Sequence, residues 1–355
     1  MNAYARHSGD ALVLGNAMLE RRLNARPGEP CLTTAFVNRL TGRDYLRPDS
    51  AEFSFDLDGH LLTGADFRYT HADLGEGDPA HASVYLANPH LDLELHIEVY
   101  SAHPVIRKHL RLTNRSDQPL VLSNLHWEDL NLLVDSPSNC EVWHDYFSRR
   151  AKAVSVSMDD CVLLVNDTRL HEGFILASEA PGPLKRLEAY ACGSRVAAGL
   201  NRDEETVFER VLAPGESFST PACFLLTFAN PIPQDVIDGD YARFVGERLT
   251  VCDVKRVPSI SINTWEPFYT NINRDLLLQQ IDLAADLGVD AYQVDDGWFD
   301  YMGDWNDDLA KFPHGLGEIA QRCRARGMKF GLWMAVAIVD EHSRVAREHP
   351  ECVAR

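Results

Sequence analysis

The sequence predicts a multidomain β + α/β chain, a large all-β sandwich followed by the first three βα units of a (β/α)8 (TIM) barrel. Three observations predict it. From Ala11 to about Asn230, short runs mostly alternate apolar with polar residues and are parted by turn signals, without intervening helices. After Pro258 the order becomes strand, helix, strand, helix, strand, helix, the mark of parallel βαβ units. No glycine-rich phosphate loop follows the first of these strands, which weighs against a dinucleotide fold and for the barrel.

The β region reads as strands over Val13 to Leu19, Glu52 to Leu57, Ser83 to Leu86, Leu91 to Tyr100, Val105 to Thr113, Leu120 to Trp127, Val162 to Val165, Gly173 to Ser178 and Ala222 to Phe228. Turn signals such as Arg26-Pro27-Gly28, Leu57-Asp58-Gly59 and Asn114-Arg115-Ser116-Asp117 separate them. Pro231 and Pro233 then interrupt the chain. Gln234 to Leu249 places Val236, Ile237, Tyr241, Phe244, Val245 and Leu249 at helical spacing. The expected organisation is therefore a β domain over 1–232, a linker helix over 233–256 and a partial barrel over 257–355.

Within that last part, Ser259 to Asn263, Val289 to Val294 and Met328 to Trp333 read as strands. Asp275 to Leu287 and Gly315 to Arg326 read as helices, closed by Gly288 and Gly327, the residue type best suited to a helix C-terminus. Glu341 to His349 begins a third helix before Pro350.

At 355 residues, with 45% hydrophobic and 25% charged residues, the composition is that of a soluble globular protein too long for one core. A net charge of −19 without a basic stripe excludes nucleic acid as the expected partner. The eight cysteines form neither CxxC pairs nor Cys/His clusters, so no zinc site is expected and reduced thiols in a cytoplasmic protein are. No signal peptide and no apolar run of about 20 residues is legible, so no membrane partner is expected.

The chemistry gathers where the three parallel strands end, as it does in a (β/α)8 barrel. The first ends in Asn263-Thr264-Trp265-Glu266, the second in Asp295-Asp296-Gly297-Trp298, with Gly303-Asp304-Trp305 in its loop, and the third in Leu332-Trp333. Four of the six tryptophans lie at or just after these ends. An indole offers a broad apolar face and one N–H, which suits the C–H face and hydroxyls of a pyranose, although indoles also pack loops onto a rim. Two adjacent carboxylates repel unless donors occupy them, and sugar hydroxyls are suitable donors. Six aspartates fall within 295–308, but their spacing misses the alternating ligands of a calcium loop, so no metal is assigned. A solvated acidic turn is the plain alternative.

Taken together, Asn263-Thr264-Trp265-Glu266, Asp295-Asp296-Gly297-Trp298-Phe299, Gly303-Asp304-Trp305, Lys311-Phe312-Pro313-His314-Gly315-Leu316 and Lys329-Phe330-Gly331-Leu332-Trp333 resemble the α-galactosidases of glycoside hydrolase family 36, the melibiase clan. The resemblance is close over 258–350 and looser before, where the β region resembles the β-supersandwich that precedes that family's barrel. It implies retaining, exo-acting hydrolysis of terminal α-galactosides. It also implies that Asp295 and Asp296 bind the 4- and 6-hydroxyls of galactose and that Trp333, Trp265 and Trp305 line the sugar pocket. No cofactor is required by this chemistry. One departure is visible: Met334-Ala335-Val336-Ala337 replaces an acidic, proline-containing run, which leaves subgroup and sugar open.

By the same resemblance the nucleophile and the acid/base follow strands four and six, so among these residues none is assigned as catalytic. The expectation is a fragment that is inactive alone, loosely ordered over 258–355 unless completed by a complementing chain, with a homo-oligomer as the other partner considered. A non-catalytic galactoside-binding or scaffold protein is the alternative from a different class. An α-N-acetylgalactosaminidase or a galactosyl transferase is the alternative within the clan.

Overall fold

The computed structural model describes residues 2–157, 160–182, 184–190, 194–200, 207–251, 258 and 260–353. It is sheet-rich and divides into two compact units, Met1–Leu249 and Thr250–Arg355.

In the first unit, antiparallel strands form a five-stranded, a ten-stranded and a seven-stranded sheet. In the ten-stranded sheet, Leu91–Val99 and Val105–Asn114 pair in register from Leu91 with Asn114 to Val99 with Ile106. Leu93, Leu95 and Leu110 from this sheet, Phe53, Phe55 and Trp127 from the seven-stranded one, and Leu12 and Phe36 from the five-stranded one bury into a single cluster. The sequence predicts one strand over Val13 to Leu19. Instead the chain turns there, giving strands Ala11–Gly15 and Leu19–Asn24. The cause is Asn16, whose buried side-chain oxygen accepts from the Met18 and Leu19 N–H groups at 2.7 and 3.1 Å and closes the turn locally.

Strands Val162–Asp167, Glu172–Ser178 and Cys223–Ala229 are buried on both faces, so their apolar residues run on without alternating. Leu163, Val165, Phe174 and Leu225 face the main cluster; Leu164, Ile175, Phe224 and Leu226 face a second one. That second cluster is completed by Val236, Ile237 and Phe244 of the helical stretch that runs from Pro233 through Leu249 in alternating α and π turns. Where the sequence reads as a linker helix over 233–256, the helix is thus part of the first unit's core, because its apolar stripe has the outer face of the sheet to cover. Residues 252–256 of that reading lie outside the described residues.

In the second unit three short strands, Ser261–Asn263, Ala291–Val294 and Lys329–Leu332, pair parallel in that order. Helix Arg274–Asp286 starts at Asn273, whose side chain accepts from the Leu276 N–H, and gives way to Gly288 at φ +79°. Helix Leu316–Ala325 follows the second strand. Arg274 bonds Glu318 and Arg322 bonds Asp282 at 2.7 and 2.9 Å across these two helices. The third helix begins at Arg344, not Glu341, and ends at Glu348, since Ser343 supplies the cap to the Ala346 N–H. Tyr292, Val294, Leu277, Ile281, Ile319 and Cys323 form the core, with Ile262, Phe330 and Leu332 against it. Period-2 alternation therefore sends Asn263, Gln293, Asp295, Gly331 and Trp333 to the face away from the helices.

Candidate active site

The carboxylate pair lies where the second parallel strand gives way to loop, and its two members are held differently. Asp295, 8% exposed, accepts from the Asn263 side-chain amide at 2.7 Å on one oxygen and from the Asp296 N–H at 2.9 Å on the other. Its own N–H donates to the buried Thr264 hydroxyl at 2.9 Å. Asp296 is half-buried and accepts no hydrogen bond among the described residues. One carboxylate is pinned; its neighbour is available.

Gly297 makes the turn that follows them. Its φ is +99°, and a Cβ there would lie 2.7 Å from both the Cα and the carbonyl oxygen of Thr270. Both the left-handed backbone and the close approach exclude a side chain. Gly297→Ala is expected to destabilise the second unit by about 1–3 kcal/mol. Thermal unfolding followed at the buried Trp298 checks this, and an unchanged midpoint would count against it.

The tryptophans divide. Trp298, 2% exposed, is a core residue whose indole N–H donates to the Trp333 carbonyl at 3.0 Å. Trp305, at φ +55°, stacks 6.0 Å from Trp298 and meets Trp333 edge-on at 6.4 Å, with Phe299 against both. Trp265 is 37% exposed and pairs with Tyr269 at 5.1 Å. Asn263 couples this turn to the carboxylates, since its side-chain oxygen accepts from the Trp265 N–H while its amide holds Asp295. So Asp295, Asn263 and the start of the Trp265 turn come together, as do Trp305 and Trp333, in two groups.

The other aspartates of the loop bind backbone. Asp304 accepts from the Arg344 and Val345 N–H groups at 2.7 and 3.1 Å, and these contacts, the Arg344 N–H foremost, hold its carboxyl below the usual range. Asp307 accepts from the Leu316 N–H at the start of its helix, and Asp308 from Ala310. Asp300 accepts from Tyr301. Among the described residues no group of three or more His, Cys, Asp or Glu is disposed to hold a metal ion. Asn263 and Thr264 hold Asp295 in place. The strand-end motif contains both, but only the fold shows what they touch.

Residues 217–355 match the family model described as Melibiase. The α-galactosidase of Escherichia coli is 31% identical over 155 residues, covering 41% of this chain and 21% of that protein. α-Galactosidase AgaA of Geobacillus stearothermophilus is 31% identical over 166 residues, 44% of this chain and 22% of the relative. Among solved structures, the family 36 α-galactosidase AgaB of Geobacillus stearothermophilus superposes with a TM-score of 0.76 at 18% identity, a likeness of fold, covering 99% of this chain and 59% of that one. The chain thus spans less than two thirds of the length of these proteins. Residues 217–355 thus match the melibiase family model, and the chain shares its fold with family 36 α-galactosidases.

Proposed function

We propose that this chain supplies the sugar-gripping part of a retaining exo-glycoside hydrolase acting on terminal α-galactosides. The observation that carries the proposal is Asp296: a half-buried carboxylate without a donor among the described residues, at the C-terminal end of a parallel strand, beside a carboxylate that is already pinned. A neutral polyol supplies the donors it lacks, and charge-assisted hydrogen bonds to hydroxyls are the strong ones. The three parallel strands are read as the opening of a (β/α)8 barrel behind a β-supersandwich, and such barrels act through these strand ends. Asp296 and Asp295 would take the 4- and 6-hydroxyls, with Trp265, Trp305 and Trp333 facing the ring.

Retaining hydrolysis needs two carboxyl groups about 5–5.5 Å apart that flank the scissile bond, one as nucleophile and one as acid/base. Asp295 and Asp296 leave a single strand end, while Asp304, Asp307 and Asp308 are occupied by backbone N–H groups. By the resemblance to family 36, the reacting pair is assigned to the ends of later strands of the barrel. No cofactor enters.

Calorimetric titration with galactose and with glucose, its epimer at C4, tests the reading. Galactose is expected to bind at least about tenfold more tightly, because an epimer leaves a polar group of the site unpaired at about 1–3 kcal/mol. Equal affinity for the two sugars would sink the proposal. Turnover of an aryl α-galactoside is expected only when a polypeptide carrying the remaining strands is added.

A further inference from the structure

We infer that Lys311 is a positioning residue of the sugar site: its ammonium group ties the loop after the first parallel strand to the carboxylate turn after the second. Nζ donates to the Gly297 carbonyl at 2.9 Å and to the Thr270 carbonyl at 3.2 Å, with Asp308 4.0 Å away. One carbonyl follows Asp296 directly. The other follows Tyr269, in the turn that carries Trp265. The inference rests on the sugar reading of Asp296.

The geometry assigns Lys311 this role for three reasons. The Asp296 carboxylate accepts no hydrogen bond among the described residues, so its place is set through the backbone of 295–297. That backbone is held before Asp296 by the Thr264 hydroxyl, which takes the Asp295 N–H, and after it by Lys311. A charged donor to a carbonyl holds more firmly than a neutral one. The second reason is proximity. Gly297 approaches Thr270 so closely that no Cβ fits between them, and Lys311 bonds both residues at that point.

The third reason is that Lys311 is itself immobile at its root. Its N–H donates to the Asp308 carbonyl, its carbonyl accepts from the Arg274 N–H at the head of a helix, and the next residue, Phe312, is 1% exposed in the core. A side chain rooted there and forked onto two loops fixes their separation. One loop carries Asp296 next to Gly297, and the other carries Tyr269 next to Thr270. A misplacement on the order of 1 Å in such a constellation is costly for binding and for chemistry.

The test uses Lys311→Met, which keeps the stem and removes the donors, and Lys311→Arg, which keeps donors for two carbonyls. Galactose affinity is read by calorimetry and loop order by hydrogen–deuterium exchange. Lys311→Met is expected to raise the galactose Kd about tenfold, or about 1.4 kcal/mol, with the unfolding midpoint nearly unchanged. Exchange should quicken in 264–271 and 295–300 and nowhere else, and Lys311→Arg should recover most of the affinity. Native-like affinity in Lys311→Met would overturn the inference. So would general loss of its fold, or no recovery in Lys311→Arg, since either makes the residue an ordinary structural tie. A native protein that binds no galactose would remove the sugar reading instead, and the exchange comparison alone would then decide whether Lys311 joins the two loops.

Discussion

Asp296→Asn is expected to weaken galactose binding about 10–100-fold while leaving thermal stability where it was. On the proposed sugar reading the carboxylate would contribute charge-assisted hydrogen bonds, each about 1.5–3 kcal/mol, and an amide would return only part of that. Stability should not change because no described residue donates to Asp296. Asp295→Asn makes the contrasting case. Its two oxygens accept from Asn263 and from the Asp296 N–H, so an amide nitrogen there would face a donor. That variant should lose affinity and unfolding temperature together. Calorimetry and thermal unfolding of the two variants side by side decide the matter. If Asp296→Asn bound galactose like the native chain, Asp296 would be a solvated turn residue and the sugar reading would fail.

Glu52→Gln is expected to lower the unfolding free energy of the first unit by about 3–5 kcal/mol, the range for breaking one partner out of a buried ion pair. Arg21, Glu52, Lys108 and Glu128 form a neutral set of four charges whose side chains are at most 2% exposed. Arg21 bonds Glu52 and Glu128 at 2.7 and 2.8 Å, Lys108 bonds both at 2.8 and 2.9 Å, and Thr33 donates to Glu52 through its N–H and its hydroxyl. Each member sits on a different strand, and the strands come from all three sheets. The set therefore joins the sheets at one interior point. Removing one negative charge leaves a buried positive excess that water cannot reach. Denaturant unfolding followed at Trp127, fully buried in this unit, measures the loss.

The same set makes a pH prediction. Burial alone would raise the Glu52 carboxyl, but the charges of Arg21 and Lys108 overcome it and hold the group at about 2, against an ordinary 4.5. A carboxyl depressed on folding adds stability that is complete above its unfolded pKa and is lost as pH falls toward the folded one. Stability should therefore decline between about pH 4.5 and pH 2, and Glu52→Gln should flatten that part of the profile. A variant that declined as steeply as the native chain would assign the acid sensitivity to other carboxyls.

Much of the second unit was legible because its signals are local. Asp275 to Leu287 carries an apolar stripe closed by Gly288, and the helix found is Arg274–Asp286. The first unit was harder to read. Val162 to Val165 and Gly173 to Ser178 are apolar without alternation, and only the helix laid on the outer face of their sheet explains why. A strand such as Arg68–Gly75 carries too few apolar residues in sequence to stand out from the turns around it.

By itself the sequence determined a strand-rich first part, a βαβ second part and a loop that gathers acid and indole at strand ends. Apolar periodicity and glycine punctuation act over a few residues and are written in the chain directly. Which acid is free was decided only in three dimensions. Of the six aspartates in 295–308, Asp304 and Asp307 bind N–H groups at helix starts, Asp295 is held by Asn263 from a neighbouring strand, and Asp296 alone is left without a described donor. The donors at Arg344 and Asn263 lie 40 and 32 residues from the carboxylates they bind. Hydrogen bonds of that span exist only once the parallel sheet has brought its strand ends together.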